Sequence, residues 1–495
     1  MEGTMYARRM IVLKLAACLL FAGCGGKDKK TEDADTDPDA IEDPAGEDVT
    51  PDETDPTTDP TEEEPAGPCA GTDTVTFQAL DLNTEDSIEG AVFALRCQDE
   101  VWEASTGSDG LVSFTGLDIT SNTVDFTGIY EGQALSMLGY GGSRAILDPL
   151  PLHFGQQEFE DNEMMSGDVT HTTYMNYHFL ALEGGGRQIN SVTRYDLGSP
   201  VDTDLRMFAF EYSTDGATAT MVGYDVITYD YPTGGGDGPA VDFTSAGTGW
   251  GSDSIALSFD IGTESIFRTM VAPSDTDWSR QYQGIMFQGK RELERWGFFG
   301  FTTSWTGDWD SGVTAEVAWA PEGFTLYGED VITALLLFNP TFSAWYQGRL
   351  PNDPSTWTSH TVHDFPAMAG FTGTTNAFDT EITVSYPTTG TGAFMQYHVR
   401  ASGRIAIPAD GVEVYWVVLT HPETTSFRLT DVVWPSTVAY ADVIPAEETL
   451  RIGYQAATYD ADPYDGYPLL NNDEEWFHDH LLEFWIDSRY PLSHP

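Results

Sequence analysis

The chain has 495 residues, of which 79 are acidic against 22 lysines and arginines, giving a formal net charge of −57. From Pro68 onward, 61 acidic residues face fifteen arginines and a single lysine, Lys290, so the imbalance belongs to the body of the protein and not only to its leader. That surface argues against nucleic acid, whose backbone needs a basic patch, and it repels anionic membranes.

The N-terminus has three parts. Arg8 and Arg9 supply positive charge, and Met10 to Gly23 is apolar apart from Lys14 and ends in small residues. A bilayer span takes about 20 apolar residues, so this run is too short to cross and reads as an export signal over residues 1–23. It closes on Leu20-Phe21-Ala22-Gly23-Cys24, which resembles the lipobox of bacterial lipoproteins. The resemblance implies cleavage before Cys24, lipid on its thiol, and a membrane partner held through that lipid. Phe21 departs from the Leu, Val or Ile usual in the family. Leu15-Ala16-Ala17-Cys18 also fits the pattern, but leaves almost no apolar core ahead of it. The plainer alternative is a secretory signal followed by an incidental cysteine. Gly25 follows, where the family uses Asp for retention at the inner membrane, so the implied location is the outer membrane, facing periplasm or cell surface. Several acyl chains anchor stably where one is marginal.

Four cysteines fit this picture. Cys18 leaves with the signal and Cys24 takes lipid, which leaves Cys69 and Cys97 as an even pair in an oxidising compartment. A disulfide between them would stabilise by about 3.5 kcal/mol on loop entropy. Two buried free thiols are the alternative.

Residues 24–67 read as a tether. From Thr31 to Gly67 there are sixteen Asp or Glu, no Lys or Arg, and no aromatic residue. Such a stretch buries too little apolar surface to offset its ordering entropy; disorder is expected, extended by like charge and scattered prolines. Lys27, Lys29 and Lys30 form a basic collar beside the anchor.

The remainder reads as all-β. Short runs rich in Val, Thr, Phe, Tyr and Trp alternate with Gly, Asp, Asn and Pro turns, the pattern of sandwiches and barrels. Examples are Leu205 to Tyr212, Ile382 to Tyr386 and Val412 to Leu419, with Asp215-Gly216, Asp410-Gly411 and Asp465-Gly466 as turns. The first module spans 68–140. It contains Gly90 to Leu95 as a strand, the hairpin Thr106-Gly107-Ser108-Asp109-Gly110-Leu111-Val112-Ser113-Phe114-Thr115-Gly116-Leu117, and a later strand ending in Gly139-Tyr140. These residues resemble the carboxypeptidase regulatory-like domain, a seven-stranded transthyretin-like sandwich with no catalytic residues of its own. Val112 stands where that family usually has an aromatic residue, and Asp118 to Asp125 is a longer insert than usual.

A β-rich middle region is expected over 141–350 and a sandwich-like C-terminal region over 351–495. No repeat period suggests a propeller or solenoid. One helix is expected at Asn472 to Asp487, where Trp476, Phe477, His480, Leu481, Phe484 and Trp485 share a face at the 3.6 period. A strand would instead align Trp476, His478, His480, Leu482, Phe484 and Ile486.

Chemical motifs are sparse. There is no G-x-S-x-G, no His-Glu-x-x-His and no Ser-x-x-Lys. Asp460-Ala461-Asp462-Pro463-Tyr464-Asp465 resembles a calcium loop, since alternating carboxylates converge on a hard cation. Its third acid is one position late for the EF-hand pattern, and the plain reading is an acidic turn. His360 with His363 and His478 with His480 are close pairs, each short of the three or four ligands that zinc takes. Trp305, Trp309 and Trp319 near Asp308 and Asp310 would suit a sugar platform, although aromatics of a sandwich usually fill its core.

The sequence therefore reads as a membrane-anchored lipoprotein with tandem non-catalytic β-sandwiches for binding, adhesion or envelope structure. Its partner would be a surface ligand such as a glycan or protein. A carboxylate-dependent polysaccharide-active enzyme is the alternative. The scarcity of lysine beside abundant Asp and Glu resembles proteins of salt-adapted organisms. Stability should then fall in low salt and recover with sodium chloride; melts with and without calcium check this, and recovery with calcium alone would point to cation sites instead.

Overall fold

The computed structural model describes residues 67–82, 84–142, 147–155, 163–173, 176–182, 187–190, 193–199, 203–214, 219–231, 236–244, 251–262, 283–290, 296–302, 305–308, 310–319, 331–338, 344–350, 359–402, 414–446, 448–464, 476 and 479–495. The export signal, Cys24, the acidic tether, Trp309, Asp465 and His478 lie outside the described residues.

The first module is a two-layer sandwich of seven strands: β1 (Ala70–Asp81), β2 (Val92–Cys97), β3 (Glu100–Ser105), β4 (Leu111–Leu117), β5 (Thr123–Tyr130), β6 (Gln133–Gly141) and β7 (Leu150–Phe154). One layer is β4-β1-β7 and the other is β3-β2-β5-β6. Alternation drives the layering, because residues two apart on a strand share a face. Val75, Phe77 and Ala79 of β1 point inward and are buried. There Phe77 stacks on Phe93 at 5.1 Å and meets Phe126 at 4.6 Å. Gly128 lies under this cluster, where a Cβ would come within 2.7 Å of the Phe93 ring. The expected Asp109-Gly110 turn is present; Gly110 has φ +72°, and the Asp109 carboxylate accepts the Leu111 N–H at 3.0 Å. The seventh strand, however, lies at 150–154, past the expected boundary at Tyr140.

This module is not an isolated bead. Strand Val414–Thr420 runs parallel to β6, pairing Trp416 with Ala134 through Thr420 with Leu138. The layer β3-β2-β5-β6 thereby continues through Val414–Thr420, Gly392–Ala401, Leu450–Tyr459, Leu481–Leu492, Ala344–Leu350, Val331–Phe338 and Gln283–Lys290 to Trp296–Thr302, making one sheet of twelve strands. At the junction Trp416 is fully buried, donates its indole N–H to Ser136 Oγ at 2.8 Å, and packs against Phe378, Trp434 and Tyr440. Thr127 of β5 donates to the Val433 carbonyl, and Arg96 of β2 donates to the Asp431 carbonyl at 2.8 Å, so loop 429–445 is fastened to the first module.

The middle region adds two four-stranded sheets over residues 163–242. They enclose a separate core of Met165, Val169, Leu180, Tyr195, Leu197, Met207, Ala209, Val241 and Phe243. A further four-stranded sheet joins Trp305–Asp308, Gly312–Trp319, Gly251–Asp260 and Ser359–His363.

The expected C-terminal helix is corrected. Trp476, Asp479 and His480 are helical, but Leu481–Leu492 is a strand between Ala344–Leu350 and Leu450–Tyr459. Its residues 483–488, Glu483, Asp487 and Ser488 among them, are all buried, because a strand inside a covered sheet is packed on both faces. Such a run shows no clean alternation, which is why the helical period could be laid over it.

Candidate functional site

Among the described residues, a densely bonded polar cluster centres on Glu483, 4% exposed, on Leu481–Leu492. Its Oε1 accepts the Tyr346 hydroxyl at 2.7 Å, and its Oε2 accepts the Thr389 hydroxyl at 2.8 Å. His363 Nδ1 lies 2.9 Å from Oε2 and 3.1 Å from Oε1. His360 Nε2 contacts the Tyr346 hydroxyl at 3.2 Å, and the Trp485 indole donates to the His363 carbonyl at 3.2 Å. These groups come from two layers: Tyr346, Glu483 and Trp485 from the large sheet, His360 and His363 from the strand packed over it. Gly348 leaves room for the contact, since a Cβ there would fall 2.8 Å from His360 Nε2. Burial pushes the His360 pKa down, opposed by Glu483. Burial, then Glu483, pushes the Tyr346 hydroxyl well above its usual range. The geometry places His363 Nδ1 as a donor to the Glu483 carboxylate. The arrangement can hold one imidazole tautomer and pin two layers together.

The middle region repeats the device. Glu211, fully buried, accepts the Thr172 N–H at 2.8 Å, the Thr172 hydroxyl at 2.6 Å and the Asn176 amide at 3.0 Å. His171 Nδ1 stands 3.2 Å from the same carboxylate, and the His171 ring stacks against His178 and Phe243.

A third group is built differently. Gln396, His398 and Arg400 lie two apart on Gly392–Ala401 and so share a face, with Gln455 directly across from Gln396. All four are buried. Among the described residues, Gln396 Oε1 and His398 Nδ1 find no hydrogen-bond partner. Burial, then the Arg400 charge, pushes the His398 pKa down to about 3, so the ring is neutral. Arg400 donates to Ser488 Oγ at 2.9 Å, and burial lowers its pKa to about 10.

The expected site residues fall in several places. Cys69 and Cys97 form a disulfide with Cα atoms 6.2 Å apart, both sulfurs buried in the first sandwich. Of the expected loop acids, Asp460 Oδ1 is 2.6 Å from His480 Nδ1 and Asp462 Oδ1 accepts the Tyr464 N–H at 3.0 Å, while Asp465 lies outside the described residues. Among the described residues no group of three or more His, Cys, Asp or Glu could hold a metal ion. The His360–His363 pair meets at one cluster, His363 on the buried Glu483 carboxylate and His360 on the Tyr346 hydroxyl that the same carboxylate accepts. Sequence inspection missed Glu483, Glu211 and the His398 group. The one available signal for Glu483 was an acid flanked by Leu482, Phe484 and Trp485 in an apolar run.

No family model and no curated protein matches the chain. Solved structures overlap it weakly. Shaft pilin SpaA from Lactobacillus rhamnosus GG is 10% identical over 35% of this chain and 96% of that one, with a TM-score of 0.14. A putative adhesin from Bacteroides ovatus ATCC 8483 is 7% identical over 38% and 82%, with a TM-score of 0.14. A calcium-stabilized ice-binding adhesin of an Antarctic bacterium is 11% identical over 86% and 99%, with a TM-score of 0.12. Overlaps of this quality carry no weight for the function of the chain.

Neutral burial of His398 makes stability depend on pH. Its folded pKa lies below the unfolded value of about 6.5, so the unfolded state binds the proton first. The stability is whole above pH 6.5 and is lost as pH falls towards about 3. Between pH 6.5 and 5.5 the natural chain should lose roughly 1 kcal/mol more than His398→Leu, read from urea midpoints. Parallel pH profiles for the two proteins would contradict this.

Proposed function

We propose that the chain is a lipid-anchored envelope protein whose β body acts by binding a surface ligand and holding it at a distance from the membrane, without catalysis. The observation that carries this reading is the twelve-stranded sheet, which links the module next to the tether with the C-terminal strands as one continuous ladder. A body of that kind passes a pull at one end to the other through backbone hydrogen bonds. The acidic stretch and the lipobox-like residues before Gly67 supply reach and anchorage.

The arrangement of the buried acids supports the same choice. Glycoside hydrolysis needs two carboxylates facing each other across a gap open to the sugar. Glu483 and Glu211 are buried, and their oxygens are taken up by donors of the protein itself. Removing such an acid would leave buried donors unsatisfied at about 1–3 kcal/mol each, a cost to stability rather than to turnover.

Two measurements test the proposal together. Cys24→Ala should move the protein from the membrane fraction to the soluble exported fraction and abolish incorporation of labelled fatty acid. A glycan and protein array with the soluble chain should return binding with no bond cleavage. Unchanged membrane retention of Cys24→Ala would overturn the anchor, and hydrolysis lost on substituting a single acid would overturn the non-catalytic reading.

A further inference from the structure

We infer that the Cys69–Cys97 disulfide is a tension bypass that takes β1 out of the path of force between the tether and the large sheet. The inference rests on the reading of the chain as a tethered protein.

The position of the bond carries the argument. Cys69 is the residue before β1, where the described chain begins, and Cys97 is the last residue of β2. The two strands belong to different layers: β1 to the three-stranded layer, β2 to the twelve-stranded sheet. The start of β1 is held to its neighbours by a few separate bonds, with the Cys69 carbonyl accepting the Asp118 N–H at 2.8 Å and Asp73 Oδ2 accepting the Ile119 N–H at 3.1 Å, and not by a regular ladder. Ala70, Gly71 and Thr72 are exposed, and the pairing with β4 shifts register between Ala70 and Thr74. The parallel pairing with β7 begins only at Phe77. By contrast β2 is paired along its length on both sides, Val92–Cys97 with β3 and Val92–Arg96 with β5.

Without the bond, a pull arriving at Cys69 would act first on this end. Strand β1 would come away from β4 pair by pair, each step opposed by a bond or two instead of by the whole ladder. Because β1 is the central strand of its layer and carries Val75, Phe77 and Ala79 into the core, its loss would open the module from the tether side. With the bond, tension passes from Cys69 through sulfur to Cys97, and residues 70–96 sit in a closed loop that carries none. The load then falls on the β2–β3 hairpin, which must be torn from β5 as a unit.

Single-molecule pulling on the mature chain, tagged at both ends and with Cys24→Ser to avoid a stray thiol, tests the inference. In the oxidised chain the first extension should occur at high force. In the chain reduced before mounting, and in Cys69→Ala/Cys97→Ala, a new event should precede it at clearly lower force and release roughly 90 Å, the extended length of the loop. A first event at the same force with and without the bond would overturn the inference. The natural chain gives a readout that does not depend on a variant folding. Held at constant force with a phosphine reductant, it should show the same step at a rate that rises with force. A rate independent of force would place the bond off the path and overturn the inference as well. Neither result depends on whether a ligand is found, so failure here is distinct from failure of the binding reading.

Discussion

The parallel pairing of β6 with Val414–Thr420 is the contact on which the architecture depends. It joins residues about 280 positions apart, as in the Ser136–Trp416 hydrogen bond, and turns a seven-stranded module and a C-terminal region into one sheet. A parallel ladder has slanted bonds and is slightly weaker per residue than an antiparallel one. Here side chains reinforce it. The buried Trp416 ring packs with Phe378, Trp434 and Tyr440, and loop 429–445 is tied down by Thr127 and Arg96. Strand pairing and aromatic packing thus close the same seam.

Two buried carboxylates do comparable work between layers. Glu483 collects His363 from the sheet packed over it, Tyr346 from the neighbouring strand and Thr389 from a loop, while Glu211 collects His171, Thr172 and Asn176 from the connection that follows Glu163–Thr170. Burying a charge is costly unless its oxygens are satisfied, and once they are, losing one partner strands the others. That asymmetry fixes how the layers sit. The row formed by Gln396, His398, Arg400 and Gln455 differs, because Gln396 Oε1 and His398 Nδ1 are buried without partners. Among the described residues those two atoms find no donor or acceptor, and the neutral His398 ring ties the cost of burial to pH.

Much of the local structure was legible in the sequence. The strand at Gly90 to Leu95 and the Asp109-Gly110 turn were readable because both are set by neighbours in the chain. The Cys69–Cys97 pairing followed from assigning the other two cysteines to the leader. What stayed hidden was non-local. Nothing in Ala134 to Leu138 announces a partner at Trp416 to Thr420, since any strand with a suitable face could dock there. The strand at Leu481–Leu492 was mistaken for helix because burial on both faces erases the period of two. Glu483 was invisible as a hub because its partners come from three separate segments, at 346, 360–363 and 389.

The claim that the tether-side module and the C-terminal strands form one body is tested most directly by native-state hydrogen exchange on the natural chain and on Trp416→Ala. If the sheet is continuous, amides of β5, β6, Val414–Thr420 and Gly392–Ala401 should share one opening free energy, and Trp416→Ala should lower all of them together by about 3–5 kcal/mol. If β1–β7 keeps its own opening free energy, untouched by Trp416→Ala, the module is a separate domain and the account is wrong.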